Sequence, residues 1–284
     1  MVVRLAHLNI VGLFLSLLLT TACQRTSLGS DTEGTSATAP TAEFQAPLPP
    51  TSLTSLNLPP LQCSKSKQCP KAIGQLVTLR FRGVDTCTAT LVKPDVILTA
   101  SHCVPWENLN PEKKFTGNCW FRFPQTSPEA LSDAPTAIAC GQLISASQLG
   151  SDVGNRIYPD HAFIRLAQAA GQRRPMNVHE DSTGELVDSS TGLLFGVITS
   201  STEHHLELLR CRRDDSFPVP KVSITRGEAL IFPSCGVLHG FSGGPILDPK
   251  SLKIIGVISG VIGFDSTQPN RALPSIGTFV APLR

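Results

Sequence analysis

From Leu61 onward the apolar positions of the chain come in short runs, broken every few residues by Gly, Pro, Asp or Asn. The runs are rich in Val, Ile, Leu, Thr and Phe, residues that suit a pleated, half-buried backbone. Residues 75–81, 86–92, 96–100, 162–166, 193–198, 254–259 and 278–280 are therefore predicted strands. No stretch sustains the 3.6-residue apolar period of a long amphipathic helix. The pattern predicts an all-β domain over 61–284, a length that one sandwich or barrel fold accommodates. With 41% hydrophobic residues, the chain can fill a sizeable core.

Ahead of Leu61 the pattern changes twice. Residues 8–19 form a mainly apolar run behind a single arginine, Arg4. That run is too short for a permanent membrane span and suits an export signal over 1–22. Ala22–Cys23 resembles the bacterial lipoprotein box, in which the cysteine becomes the lipidated first residue. Thr20 stands where leucine is usual, with Leu19 one place further back. Cys23 is thus a candidate lipidation site; a plain secretory signal with an incidental cysteine is the competing reading. Gln24 follows it rather than aspartate, which in Gram-negative lipoproteins favours the outer membrane. Residues 23–60, rich in Ser, Thr, Pro and Ala without a hydrophobic period, read as a disordered tether with a reach of about 30 Å. The expected location is outside the cytoplasm, on the cell envelope or secreted.

Charge adds little. Only 16% of residues are charged and the net charge is +2, so nothing resembles the basic stripe of a nucleic-acid binder. Arg210, Arg212 and Arg213, beside Asp214 and Asp215, read as a solvated loop. Cysteine says more. Setting aside Cys23 from the 9 cysteines leaves Cys63, Cys69, Cys87, Cys103, Cys119, Cys140, Cys211 and Cys235. An even set behind an export signal points to disulfides in an oxidising compartment. No Cys-x-x-Cys pair occurs, so a zinc site, or any metal or cofactor, is not expected.

Three local patterns carry chemistry. In Thr99-Ala-Ser-His102-Cys103 an apolar strand delivers a histidine to a turn, with Cys87 upstream. In Asp160-His-Ala-Phe-Ile-Arg-Leu166 an aspartate opens an apolar strand. In Gly240-Phe-Ser242-Gly-Gly-Pro245 glycines let the backbone turn sharply around a serine, leaving amides to converge on one point. A serine hydroxyl needs a histidine to take its proton, and the histidine needs a carboxylate to fix its tautomer. Asp95 and Asp152 compete with Asp160, but no apolar strand follows Asp152, and Asp95 sits in the Lys-Pro-Asp turn inside the histidine motif. His161 is expected to point away from the site, and His179, His204 and His205 to lie on the surface.

Together these stretches resemble the three active-site signatures of the chymotrypsin/trypsin-like serine proteases, in that family's order. The resemblance covers about 72–282. It implies two packed six-stranded antiparallel β-barrels with the site in the cleft between them, and polypeptides as substrates. It implies Ser242 as nucleophile, His102 as base and then acid, and Asp160 as the residue that orients His102. It further implies a Cys87–Cys103 disulfide and an oxyanion hole made of the Gly240 and Ser242 amides. Gly236 falls at the base of the implied substrate pocket, without a carboxylate. Ser259, Gly260 and Val261 form its wall, where Val261 narrows it toward small or medium apolar side chains. His239 falls at the rim, with recognition of acidic side chains as the rival reading. The alternative for the whole chain is an inactive relative that only binds on the cell envelope; such relatives usually lack the serine or histidine.

Two departures from the family bear on activation. No Ile-Val-Gly-Gly-like start follows a basic cleavage site; residues 71–74 match poorly. Phe241 stands where zymogen-type members carry an aspartate that pairs with a newly cut N-terminus. A phenyl ring accepts no such charge. The favoured expectation is that Phe241 packs into the second barrel and sets the loop without cleavage. The rival is a loop that orders only around substrate.

Overall fold

The computed structural model describes residues 53–56, 58–59, 61–63, 70–80, 83–105, 108, 114–125, 136–147, 159–179, 190–199, 204–214, 216–217, 229–261 and 275–279. The expected export signal, Cys23, most of the expected tether and Asp152 lie outside these residues.

The fold is the expected all-β one. Six strands close a barrel: β2 (Ile73–Arg80), β3 (Gly83–Lys93), β4 (Val96–Thr99), β5 (Cys119–Arg122), β6 (Ala137–Ala146) and β7 (Ala162–Leu166). Their order is β2-β3-β4-β7-β6-β5, and every pairing is antiparallel. A second sheet contains β8 (Thr191–Thr199), β9 (His204–Arg212), β10 (Ala229–Phe232), β11 (Pro245–Leu247), β12 (Ile254–Val261) and β13 (Ser275–Phe279). A short strand before the first barrel, β1 (Leu61–Cys63), joins this sheet, giving the order β1-β9-β8-β11-β12-β13-β10.

β1 departs from the expected six antiparallel strands. It pairs with β9 in parallel, Leu61 opposite His204, while Gln125 donates its backbone N–H to Leu61. Arg122 donates to the Pro59 carbonyl, and Leu53–Leu56 forms a 3-10 turn within the stretch expected to be an unstructured tether. The segment ahead of the first barrel is therefore fastened to both halves of the molecule.

Both halves are filled partly by the predicted apolar runs and partly by strands outside them, β5, β6, β10 and β11. Ile73, Leu76, Leu91, Ile97, Leu98, Phe121, Phe163 and Leu143 are among the fully buried side chains of the first barrel. Leu194, Leu230, Phe232, Ile246, Ile255 and Ile258 cluster in the second. β9 corrects two expectations. Arg210 and Arg212 lie exposed on a strand, not in a solvated loop. His204 is 3% exposed rather than a surface residue, because strand alternation turns it inward beside Gln75 and Arg122. Among the described residues three disulfides brace the fold: Cys87–Cys103 as implied, Cys119–Cys140 between β5 and β6, and Cys211–Cys235 from β9 to the loop after β10.

Candidate active site

Strand register brings His102 and Asp160 together. β4 and β7 are antiparallel neighbours with Thr99 opposite Ala162. Two residues beyond that pair, the chain after β4 has entered the 3-10 turn Ser101–Cys103, and the chain ahead of β7 stands at Asp160. Asp160 Oδ2 lies 2.6 Å from His102 Nδ1, and Oδ1 accepts the His102 backbone N–H at 3.1 Å. Ser259 on β12 donates its hydroxyl to the same Oδ2 at 2.6 Å. The competitor Asp95 pairs instead with Arg165.

Asp160 is 5% exposed. Burial pushes its carboxyl up; the hydrogen bond and charge of His102, the Ser259 hydroxyl and the His102 amide pull it down and prevail. It stays ionised below the ordinary aspartate range. A carboxylate at Nδ1 holds the proton there and leaves Nε2 as the basic nitrogen.

The turn that carries His102 is itself held from three sides. The Cys87–Cys103 disulfide anchors it to β3. Ser101 donates to the His161 carbonyl at 2.7 Å, and Arg80 donates to the His102 carbonyl. The His161 ring turns toward Phe163, 5.9 Å between centroids, and burial lowers its pKa against the opposing charge of Asp160. Cys87, His102 and Cys103 have metal-ligand spacing, but their two sulfurs are consumed in the disulfide.

Ser242 lies in the loop between β10 and β11. Gly240 and Gly243 have φ of +98° and +82°, backbone conformations that L side chains rarely adopt. Gly243 also fits directly against Thr88, Thr99 and the Ala100 amide, so the serine loop abuts the strand end that delivers His102. The Thr88 N–H donates to the Ser242 carbonyl at 2.8 Å. The amides of Phe241, Gly243 and Gly244 donate to the carbonyls of Leu238, Ile258 and Phe241. Among the described residues, the amides of Gly240 and Ser242 meet no acceptor. No hydrogen bond joins the Ser242 hydroxyl to His102 among these residues; such contacts often tighten only around substrate.

Phe241 is 1% exposed and belongs to the apolar cluster of the second sheet. Its ring lies against Gly196 on β8, where an added Cβ would strike it. Nothing in the local sequence marked Gly196, because its role comes from a residue 45 positions away in the chain.

Gly236 and His239 are exposed near this loop, Gly260 is half-buried, and the space over the Cα of Gly236 and Gly260 is open. The Ser259 hydroxyl is engaged by Asp160 rather than turned toward a pocket. The Val261 side chain lies outside the described residues.

No protein-family model and no curated protein sequence matches the chain. Solved structures do. A thermostable serine protease, AL20, from an extremophilic microorganism superposes with a TM-score of 0.53 at 16% identity, covering 75% of this chain and 92% of its own. The protease Anisep from Arthrobacter nicotinovorans gives 0.52 at 18% identity, over 75% and 91% of the two chains. HL collagenase gives 0.55 at 17% identity, over 78% and 93%. The closed six-strand barrel, the second sheet and these neighbours establish the chymotrypsin-like fold.

Proposed function

We propose that this chain, built on the fold of the chymotrypsin-like serine proteases, is a serine endopeptidase. Ser242 Oγ attacks the scissile carbonyl while His102 Nε2 takes its proton. The tetrahedral intermediate collapses, His102 gives the proton to the leaving amine, and an acyl-enzyme remains on Ser242. Water then repeats the sequence and releases the acid. Asp160 keeps His102 in the required tautomer and offsets the charge of the imidazolium. The Gly240 and Ser242 amides receive the oxyanion.

The observation that carries the reading is the grip of buried, ionised Asp160 on both Nδ1 and the backbone N–H of His102. An aspartate that merely formed a turn would not draw an imidazole, an amide and the Ser259 hydroxyl onto its two oxygens. With glycine rather than a carboxylate at 236 and β-branched Val261 in the wall segment, the pocket takes small or medium apolar side chains on the acyl side of the cut, with His239 at the rim. Three disulfides fit an exported protein, attached through Cys23 if that residue carries lipid.

A fluorophosphonate probe should label Ser242 in the full chain, and Ser242→Ala and His102→Ala should each abolish peptide hydrolysis in a folded protein. A folded chain that takes no label would be a binding module instead. A cleavage profile dominated by Arg or Lys would overturn the pocket reading, and one dominated by Glu would assign recognition to His239.

A further inference from the structure

Among the described residues outside the proposed triad, the side chain of Thr88 hydrogen-bonds the serine loop from the first barrel. Thr88 follows Cys87 on β3 and is completely buried. Its hydroxyl donates to the Gly240 carbonyl at 2.6 Å and accepts the Val197 N–H from β8 at 2.8 Å. Its own backbone N–H donates to the Ser242 carbonyl at 2.8 Å. A hydroxyl can donate and accept at once, which is what this pair of backbone partners requires.

The geometry matters because peptide units are rigid planes. Holding the Gly240 carbonyl fixes the plane between Gly240 and Phe241. Holding the Ser242 carbonyl fixes the plane between Ser242 and Gly243. The plane that presents the Ser242 N–H lies between these two, with a held plane on either side. We propose that the Thr88 hydroxyl is a positioning group for the oxyanion site, setting the direction of the loop amides from across the barrel interface. The proposal rests on the assignment of Ser242 as nucleophile. It predicts an effect on the transition state, where negative charge develops on the oxygen, and little effect on ground-state binding.

Thr88→Val keeps the shape and removes the hydroxyl, leaving a buried carbonyl and a buried amide without their shared partner. The test compares parent, Thr88→Val and Thr88→Ser after titrating active sites with the fluorophosphonate probe. Thr88→Val should lower kcat about ten- to a hundredfold, the scale of a displaced reacting geometry, with KM changed about twofold or less. Affinity for a peptide boronic acid, whose tetrahedral adduct uses the oxyanion site, should fall in step with kcat, while that for a product peptide stays level. Thr88→Ser should restore most of both. If the valine variant does not fold, Thr88→Ala removes the hydroxyl without new bulk, and the same outcomes apply. Parent-like kcat per active site in a folded variant without the hydroxyl would overturn the proposal, as would a loss that serine does not restore. A parent chain left unlabelled at Ser242 would overturn the nucleophile assignment and this inference with it.

Discussion

The two sides of the candidate site are held by different forces. His102 is held by polar side chains and a covalent bond: Asp160, Ser259, Ser101, Arg80 and the Cys87–Cys103 disulfide. The Ser242 loop is held by backbone hydrogen bonds, by the buried ring of Phe241 and by one threonine hydroxyl. The difference fits the tasks proposed for His102 as general base and Ser242 as nucleophile. A general base must keep one tautomer, and a nearby charge does that over a short distance. A nucleophile flanked by two amides must keep a backbone shape, and close packing does that best.

Breaking the charged side should give the largest effect on chemistry. Asp160→Asn leaves the geometry nearly intact but no longer favours the Nδ1-protonated tautomer. The kcat should fall about 10⁴-fold, with little change in KM or in thermal midpoint. Steady-state kinetics of the folded variant checks this; a loss under tenfold would mean that Asp160 does not orient the base.

Breaking the packed side should give an effect of a different kind. Phe241→Ala empties a site in the apolar cluster of the second sheet and should destabilise the protein by about 3–5 kcal/mol, measured by urea unfolding. If the ring sets the loop from within the sheet, chains starting anywhere in 24–52, ahead of the Leu53–Leu56 turn and the Pro59 contact, should be active without further cleavage. A chain inactive until cut near Lys71 would show that a new N-terminus is needed and that Phe241 does not set the loop.

The smallest effect is on acid stability. Unfolded, His204 titrates near the ordinary histidine value of about 6.5; folded, burial and then the charge of Arg122 hold it lower. Between those two values the unfolded chain binds the extra proton, so stability falls as pH drops below about 6.5 and levels off beneath the folded pKa. His204→Gln should flatten that slope, seen as a smaller loss of urea midpoint between pH 7.5 and 5. An unchanged slope would assign the acid sensitivity to other groups.

The chemistry of both sides was legible in the sequence, while the packing that holds the serine side was not. T-A-S-H-C and D-H-A-F-I-R-L are local signals: each places a side chain by where a strand starts or stops, and Ala162–Leu166 formed the strand as read. Other strands were hidden by composition. β6 carries Gly141, Gln142 and Ser145 among its apolar residues, and the end of β9, with Arg210 and Arg212 running into Arg213, reads as a loop by its charge. β11 is three residues long and begins with proline. Thr88 and Gly196 gave no signal, since one acts on residues 109 and 152 positions away and the other is defined by the ring it admits. Phe241 was legible only as a departure, and the structure shows the packing expected of it, against Gly196 in the second sheet.

The contact between Gly196 and Phe241 also has an evolutionary consequence. The two positions share a single volume, so neither varies freely. A lineage that placed a side chain at 196 would first have to shrink the residue at 241. The reverse order passes through an intermediate in which two groups claim the same space. Substitutions at these positions should therefore appear together among descendants of this chain, and position 241 should change identity only where 196 records the same event.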